Sequence, residues 1–87
     1  MRAIVTIGFK EGVLDPEAVA IGRALVGLGF AEVRAVRRRK VIELELDGSD
    51  PTAARARVEA MCEQLLANPV IETYRVEIED PQEATGS

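Results

Sequence analysis

Two carboxylates, Glu43 and Glu45, and a run of cations just ahead of them are the groups whose types and spacing invite a chemical reading. Paired carboxylates do acid–base work when their surroundings keep one protonated and the other ionised. Here they alternate with Ile42, Leu44 and Leu46, so they share one water-facing side of a strand where nothing separates their pKa values. Arg34, Arg37, Arg38, Arg39 and Lys40 fall within seven positions. Guanidinium groups so placed suit carboxylate or phosphate contacts, and they equally suit a solvated strand edge that resists aggregation. Cys62, in a helical pattern, reads as a packing residue before a reactive thiol. The chain has no histidine and one cysteine. It therefore lacks the usual general base at neutral pH, the Ser-His and Cys-His nucleophile pairs, and the ligands of thiolate or imidazole metal sites. No catalysis is expected from the isolated chain.

The composition narrows the partners. Eighty-seven residues at 47% hydrophobic make one globular domain. The net charge of −4 works against phosphate neutralisation, and Phe9, Phe30 and Tyr74 are too few for a base-stacking platform, so no nucleic-acid partner is expected. No run of ~20 apolar residues offers a membrane span. Met1-Arg2 leads straight into a strand pattern with no signal-peptide region, and a lone cysteine fits a reducing compartment, so the cytoplasm is expected. A domain this small buries only about 60–65% of its unfolded surface, which favours self-association as a dimer or higher.

The elements that must position these groups are organised around Lys40-Val41-Ile42-Glu43-Leu44-Glu45-Leu46-Asp47. Its two-residue period is that of a half-buried strand, and a one-residue slip would bury three carboxylates. Ala3, Val5, Ile7 and Phe9 give a first strand. Asp15-Pro16 and Asp50-Pro51 each place a capping carboxylate before a proline at the first helical position. Ala18, Ile21, Leu25 and Leu28 form the expected buried stripe of the first helix, which Gly29 and Phe30 close. Ala54, Val58, Met61 and Leu65 form that of the second, which stops at Asn68-Pro69. A strand over residues 32–38 is expected to turn through Arg38-Arg39-Lys40 as a hairpin, and a last strand to run over residues 70–79. The order is β-α-β-β-α-β. The expected fold is α+β and ferredoxin-like, a four-stranded antiparallel sheet with both helices on one face and the first and organising strands central. Residues 1–79 form that domain, and the polar residues 80–87 are expected to be a disordered tail.

Certain of these residues, taken in order, carry a family resemblance. Gly12-Val13-Leu14-Asp15-Pro16, Leu28-Gly29-Phe30, Val33 with Val36-Arg37, Lys40 with Ile42-Glu43-Leu44, and Met61-Cys62-Glu63 running on through Leu65-Leu66-Ala67-Asn68-Pro69-Val70-Ile71-Glu72 to Tyr74 closely resemble PurS. PurS is the small subunit of phosphoribosylformylglycinamidine synthase, and the resemblance spans residues 2–79. It implies a non-catalytic, self-associating subunit of a purine-biosynthesis complex. That subunit would join a glutaminase to a large synthetase, which uses ATP and Mg to turn formylglycinamide ribonucleotide into the amidine; no cofactor is expected on this chain. Glu17-Ala18, Arg39 and Val41 depart from the usual family residues. An ACT-like regulatory module binding small molecules shares the element order and is the alternative reading. An acylphosphatase-like enzyme shares it too, but its glycine-rich anion loop is not evident in residues 10–14. Partner contact is expected at the loop carrying Leu14, Asp15 and Pro16, at the tip carrying Arg37, Arg39 and Lys40, and at Asn68-Pro69, since exposed turns on a rigid frame carry binding.

Overall fold

The computed structural model describes residues 1–79, and the tail expected over residues 80–87 lies outside them. Strand β1 spans Arg2–Phe9, helix α1 Pro16–Gly27, β2 Arg39–Glu45, helix α2 Pro51–Met61 and β3 Glu72–Glu79. The strands form one antiparallel sheet in the order β2-β1-β3. The chain is therefore α+β, as the element pattern requires, with three strands among the described residues.

Alternation in β1 sends Ala3, Val5 and Ile7 to one side, where all three are buried. In register beside them stand Leu44, Ile42 and Lys40 of β2 and Ile78, Val76 and Tyr74 of β3. Helix α2 packs across β1 and β3 and brings Val58 and Cys62 into this core. The opposite face, with Arg2, Ile4, Thr6 and Gly8 down its centre and Glu43 and Glu45 on β2, has no helix over it among the described residues.

Both helix starts form as the sequence dictates. Asp15 accepts from the backbone N–H of Glu17 at 3.0 Å and of Ala18 at 3.2 Å, and Asp50 accepts from Thr52 at 3.0 Å and Ala53 at 3.4 Å. The end of α1 is a left-handed cap at Gly29, φ 104°, with the N–H of Phe30 returning to the carbonyl of Leu25 at 3.0 Å.

Three expectations fail, each for a physical reason. The strand over residues 32–38 does not form. No turn reverses the chain at Arg38-Arg39-Lys40; the backbone runs on into β2, and residues 34–38 make no backbone hydrogen bond to the described chain. The organising strand is consequently an edge strand, and the four-stranded ferredoxin-like sheet is not completed here. Secondly, α1 does not lie on the sheet. It lies beside Val33 and Val36, and of its expected stripe Ala18 is buried and Leu25 half-buried while Ile21 is 41% and Leu28 74% exposed, so the stripe is only partly covered. Its reach stretches the chain to 49 × 34 × 16 Å, with a radius of gyration of 16.9 Å where a compact domain of this length gives about 12 Å.

Thirdly, α2 does not continue as an α-helix. Cys62–Leu66 widen into a π turn, closed by the N–H of Ala67 on the carbonyl of Cys62 at 3.0 Å. The extra residue in that turn rotates the stripe, so Cys62 and Leu66 take the inward positions and Leu65 is 83% exposed. Likewise Val70, expected in the last strand, sits in the turn before β3 and is 80% exposed.

The core thus rests on β1. Replacing Ile7, which is fully buried, with alanine is expected to cost about 3 kcal/mol in urea unfolding, from lost burial plus the cavity left behind.

Candidate functional site

The register places the C-terminal end of β1 beside the N-terminal ends of β2 and β3, so the three expected contact segments meet at one end of the sheet. A cleft of about 500 Å³ opens there between residues 9–15 on one side and residues 35–39 on the other. Leu14 and Asp15 line it, as do Arg37 and Arg39, and Pro16 opens α1 at its rim. Asn68 and Pro69 do not line the cleft but lie at the same sheet end. The backbone N–H of Lys10 donates to the carbonyl of Ile71 at 2.8 Å, tying the first loop to their turn.

Asn68 is a structural residue of that turn. Its side-chain Oδ1 accepts from the N–H of Val70 at 3.1 Å, and its carbonyl accepts from Ile71 at 3.1 Å and Glu72 at 2.7 Å. Glu72, which breaks the apolar alternation of the last strand, is what holds the turn down: its Oε1 accepts from the N–H of Asn68 at 2.6 Å. The other carboxylate oxygen lies 4.0 Å from Nζ of Lys40, so Lys40 is drawn inward across the sheet end.

The principal electrostatic contact went unread in the sequence. Arg38 reaches back to the start of α1, donating from Nε to Asp15 Oδ2 at 3.0 Å and from Nη2 to Asp15 Oδ1 at 2.9 Å, with Nη1 2.7 Å from Glu17 Oε2. Asp15 is therefore a cap and the anchor of a latch at once. Its partner was one of several arginines in a run, and nothing local distinguishes Arg38 from Arg37 or Arg39. Their side-chain contacts do distinguish them. Val36 and Arg38 turn towards α1, whereas Arg39 points the other way and lies across Gly8, its Cγ 3.3 Å from where a Cβ on that glycine would sit. Arg37 and Arg39 have no acidic partner within 4.0 Å among the described residues.

The ionisation states follow from these contacts. Hydrogen bonds from Arg38 hold the Asp15 carboxyl below the usual carboxylate range, and Asp15 in turn raises the Arg38 guanidinium. Burial, helped by Glu63 and Glu59, pushes the Cys62 thiol up, so it stays protonated at neutral pH. The Tyr74 hydroxyl is pushed up to about 12, first by its contact with the Glu63 carboxylate. On the open face Arg2 donates twice to Glu79 Oε2, at 3.0 and 2.6 Å.

What these parts define is a small assembly module: its chemistry-bearing groups hold turns in place, and its largest unspent surfaces are an apolar helix arm and a row of cations. Comparison with known proteins gives the family. The chain belongs to the PurS family, described as phosphoribosylformylglycinamidine (FGAM) synthase, which matches residues 2–80. It is 44% identical over 78 residues to phosphoribosylformylglycinamidine synthase subunit PurS of Methanocaldococcus jannaschii, covering 90% of this chain and 94% of that one. The crystal structure of M. jannaschii PurS, one of the subunits of formylglycinamide ribonucleotide amidotransferase in the purine biosynthetic pathway, superposes with a TM-score of 0.84 at 42% identity, covering 91% of this chain and 95% of that one. A chain in the structure of PurLQS from Thermotoga maritima matches with a TM-score of 0.79 at 32% identity, covering 87% of this chain and 93% of that one.

The latch makes a signed pH prediction. Because the folded-state pKa of Asp15 is depressed, its stabilisation is present above the ordinary carboxylate value of 3.8 and is lost as pH falls through the lower folded value. Wild type should therefore exceed an Arg38→Gln variant in urea stability at pH 7, and the gap should close as pH falls below 3.8. A gap that stays constant over that range would remove the ion pair as its cause.

Proposed function

We propose that this chain is the non-catalytic bridging subunit of a phosphoribosylformylglycinamidine synthase. It joins the glutaminase and the ATP-dependent synthetase so that glutamine-derived ammonia reaches formylglycinamide ribonucleotide. The observation that carries this reading is the likeness, over most of both chains, to a chain of the T. maritima PurLQS structure. PurS is a subunit of FGAM synthase, and the geometry here suits such a part. No helix among the described residues is long and apolar enough to cross a membrane. The reading places the protein in the cytoplasm, with ATP and Mg used by the synthetase and no cofactor on this chain.

In this role the partner-facing residues are those gathered at the sheet end: Leu14, Asp15, Pro16, Arg37, Arg39, Lys40, Asn68 and Pro69. Support comes from Leu14, whose side chain is turned to water in a loop anchored on both sides, and from the rigid turn at Asn68-Pro69. Self-association belongs to the same reading, because α1 carries an apolar stripe that its own sheet does not cover. The four-stranded layout with two helices on one face is accordingly a property of the assembled state.

Reconstitution tests the role. Added to the glutaminase and synthetase, this chain should raise glutamine-dependent synthesis at least tenfold and leave synthesis from free ammonia nearly unchanged, since dissolved ammonia needs no bridge. Equal stimulation of both reactions would point to a direct effect on the synthetase and overturn the bridging role. A Leu14→Asp variant should fold normally, because the Leu14 side chain is exposed and makes none of the hydrogen bonds of the neighbouring Asp15 cap, and exposed substitutions of that kind cost about 0.5 kcal/mol or less. It should nevertheless lose most of the glutamine-dependent gain.

A further inference from the structure

The turn that follows α2 carries an extra residue whose effect is to put an apolar side chain into water. Continued in regular α form from Met61, the helix would set Leu65 after Val58 and Met61 on its inward stripe. Instead Cys62–Leu66 form a π turn, and the N–H of Ala67 closes on the carbonyl of Cys62 at 3.0 Å. Cys62, Leu66 and Ala67 still reach the core, while Leu65 is 83% exposed. A shorter, regular turn would supply the core with the same side chains. Single π turns at helices are rare, and they gather at functional sites.

The next turn presents a second such side chain. Asn68 and Glu72 clamp residues 68–72, and Val70 within them is 80% exposed, next to the exposed Pro69. Leu65 and Val70 are the two most exposed large apolar side chains among the described residues. One exposed leucine alone means nothing. Two on successive closed turns, the first raised by an inserted residue, make a preset surface. Its charge is one-sided, because residues 58–74 hold Glu59, Glu63 and Glu72 and no lysine or arginine. Glu72 is engaged by Asn68 and lies 4.0 Å from Lys40. Glu59 and Glu63, both exposed, have no cationic partner within 4.0 Å among the described residues. Both act on the Cys62 thiol, so their negative field lies at the base of the π turn.

We propose that Leu65 and Val70 dock into an apolar socket with a lysine- or arginine-lined rim on another subunit of the complex. This surface rests on the bridging role above and gives it an anchor, Leu65, that the sheet-end residues do not include. Charge sets the chemistry of the occupant. Burying Leu65 brings Glu59 and Glu63 against the rim of the socket, where a neutral or acidic rim would leave both carboxylates desolvated and unpaired. A symmetric contact with a second copy would set the same carboxylates against each other, so the occupant is a different chain. Both turns are closed by their own hydrogen bonds before any partner arrives, so little order has to be gained at the interface.

Deleting Leu65 separates docking from folding. The bond from Ala67 to Cys62 then makes the step of an ordinary α turn, and Leu66 keeps its inward place. The shortened chain should melt at or above the wild-type temperature and sediment as wild type does. Titrated against the purified synthetase and the purified glutaminase separately, it should bind one of them about thirtyfold more weakly than wild type. A Leu65→Ser, Val70→Ser double variant of full length should lose the same affinity and keep the fold. Wild-type affinity for that subunit should fall about tenfold between about 0.05 and 0.5 M salt, as opposite charges at the rim require. A shortened chain that melts far below wild type makes the turn a structural element and overturns the proposal. Wild-type binding of both subunits by either variant overturns it too, and salt-independent binding overturns the basic rim. A wild type that binds neither subunit overturns the bridging role itself.

Discussion

Burying one face of β1 is the constraint on which the rest of the molecule depends. Ala3, Val5 and Ile7 are sealed because β1 has a strand on each side and α2 above. One helix is about 10 Å across and strands lie about 4.8 Å apart, so a single helix covers roughly two strands. Helix α2 spends that width on β1 and β3. The inner face of β2, with Ile42, Leu44 and Leu46, is left half-covered, and a second helix is needed to close it. The chain has such a helix and holds it away from its own sheet. That mismatch between apolar surface made and apolar surface buried is the physical reason to treat the chain as part of an assembly.

Where α1 is held follows from electrostatics and local geometry rather than from burial. The Arg38 guanidinium spans the Asp15 and Glu17 carboxylates at the first turn of α1, while Val33 and Val36 line a groove along the helix side below. An exposed ion pair is worth little by itself. Here the same carboxylate also caps the helix, so one side chain ties the cap and the helix to the segment that leads into β2. The result is an arm of defined shape rather than a loose linker, which lowers the ordering cost of any interface that uses it.

Much of the fold was legible in the sequence, because it is encoded by short-range rules. The alternation in β1 and β2, both Asp-Pro helix starts and the Gly29 cap stand where their residues put them. What could not be read depends on non-local facts. A run of five cations does not say which one folds back, and only the chain path gives Arg38 to Asp15. The widened turn after Met61 has no composition signature, yet it decides that Leu65 faces water and Leu66 does not. The strand expected over residues 32–38 has the side chains of a strand but no edge within its own chain to pair with. For the site, the segments named from the sequence do converge on one sheet end; Asn68 and Glu72 prove to be holding the turn itself, which position alone does not reveal.

These observations bear on why a chain with so few reactive groups takes this form. Cys62 is protonated and buried, Tyr74 is held neutral by Glu63, and the Asp15 carboxylate is engaged by Arg38 and two backbone amides. Each is committed to structure. A bridging part needs something else, namely rigid turns whose exposed side chains can be read by a partner without the frame moving. Leu14 and Val70 are exposed on turns of that kind, one in a loop tied by Lys10 to Ile71 just before β3, the other in a turn clamped by Glu72. Because both turns are anchored to β1 and β3, a contact at either is transmitted to the sheet as a rigid body. In the proposed role, the spacing between partner subunits is then set by the sheet and not by flexible loops.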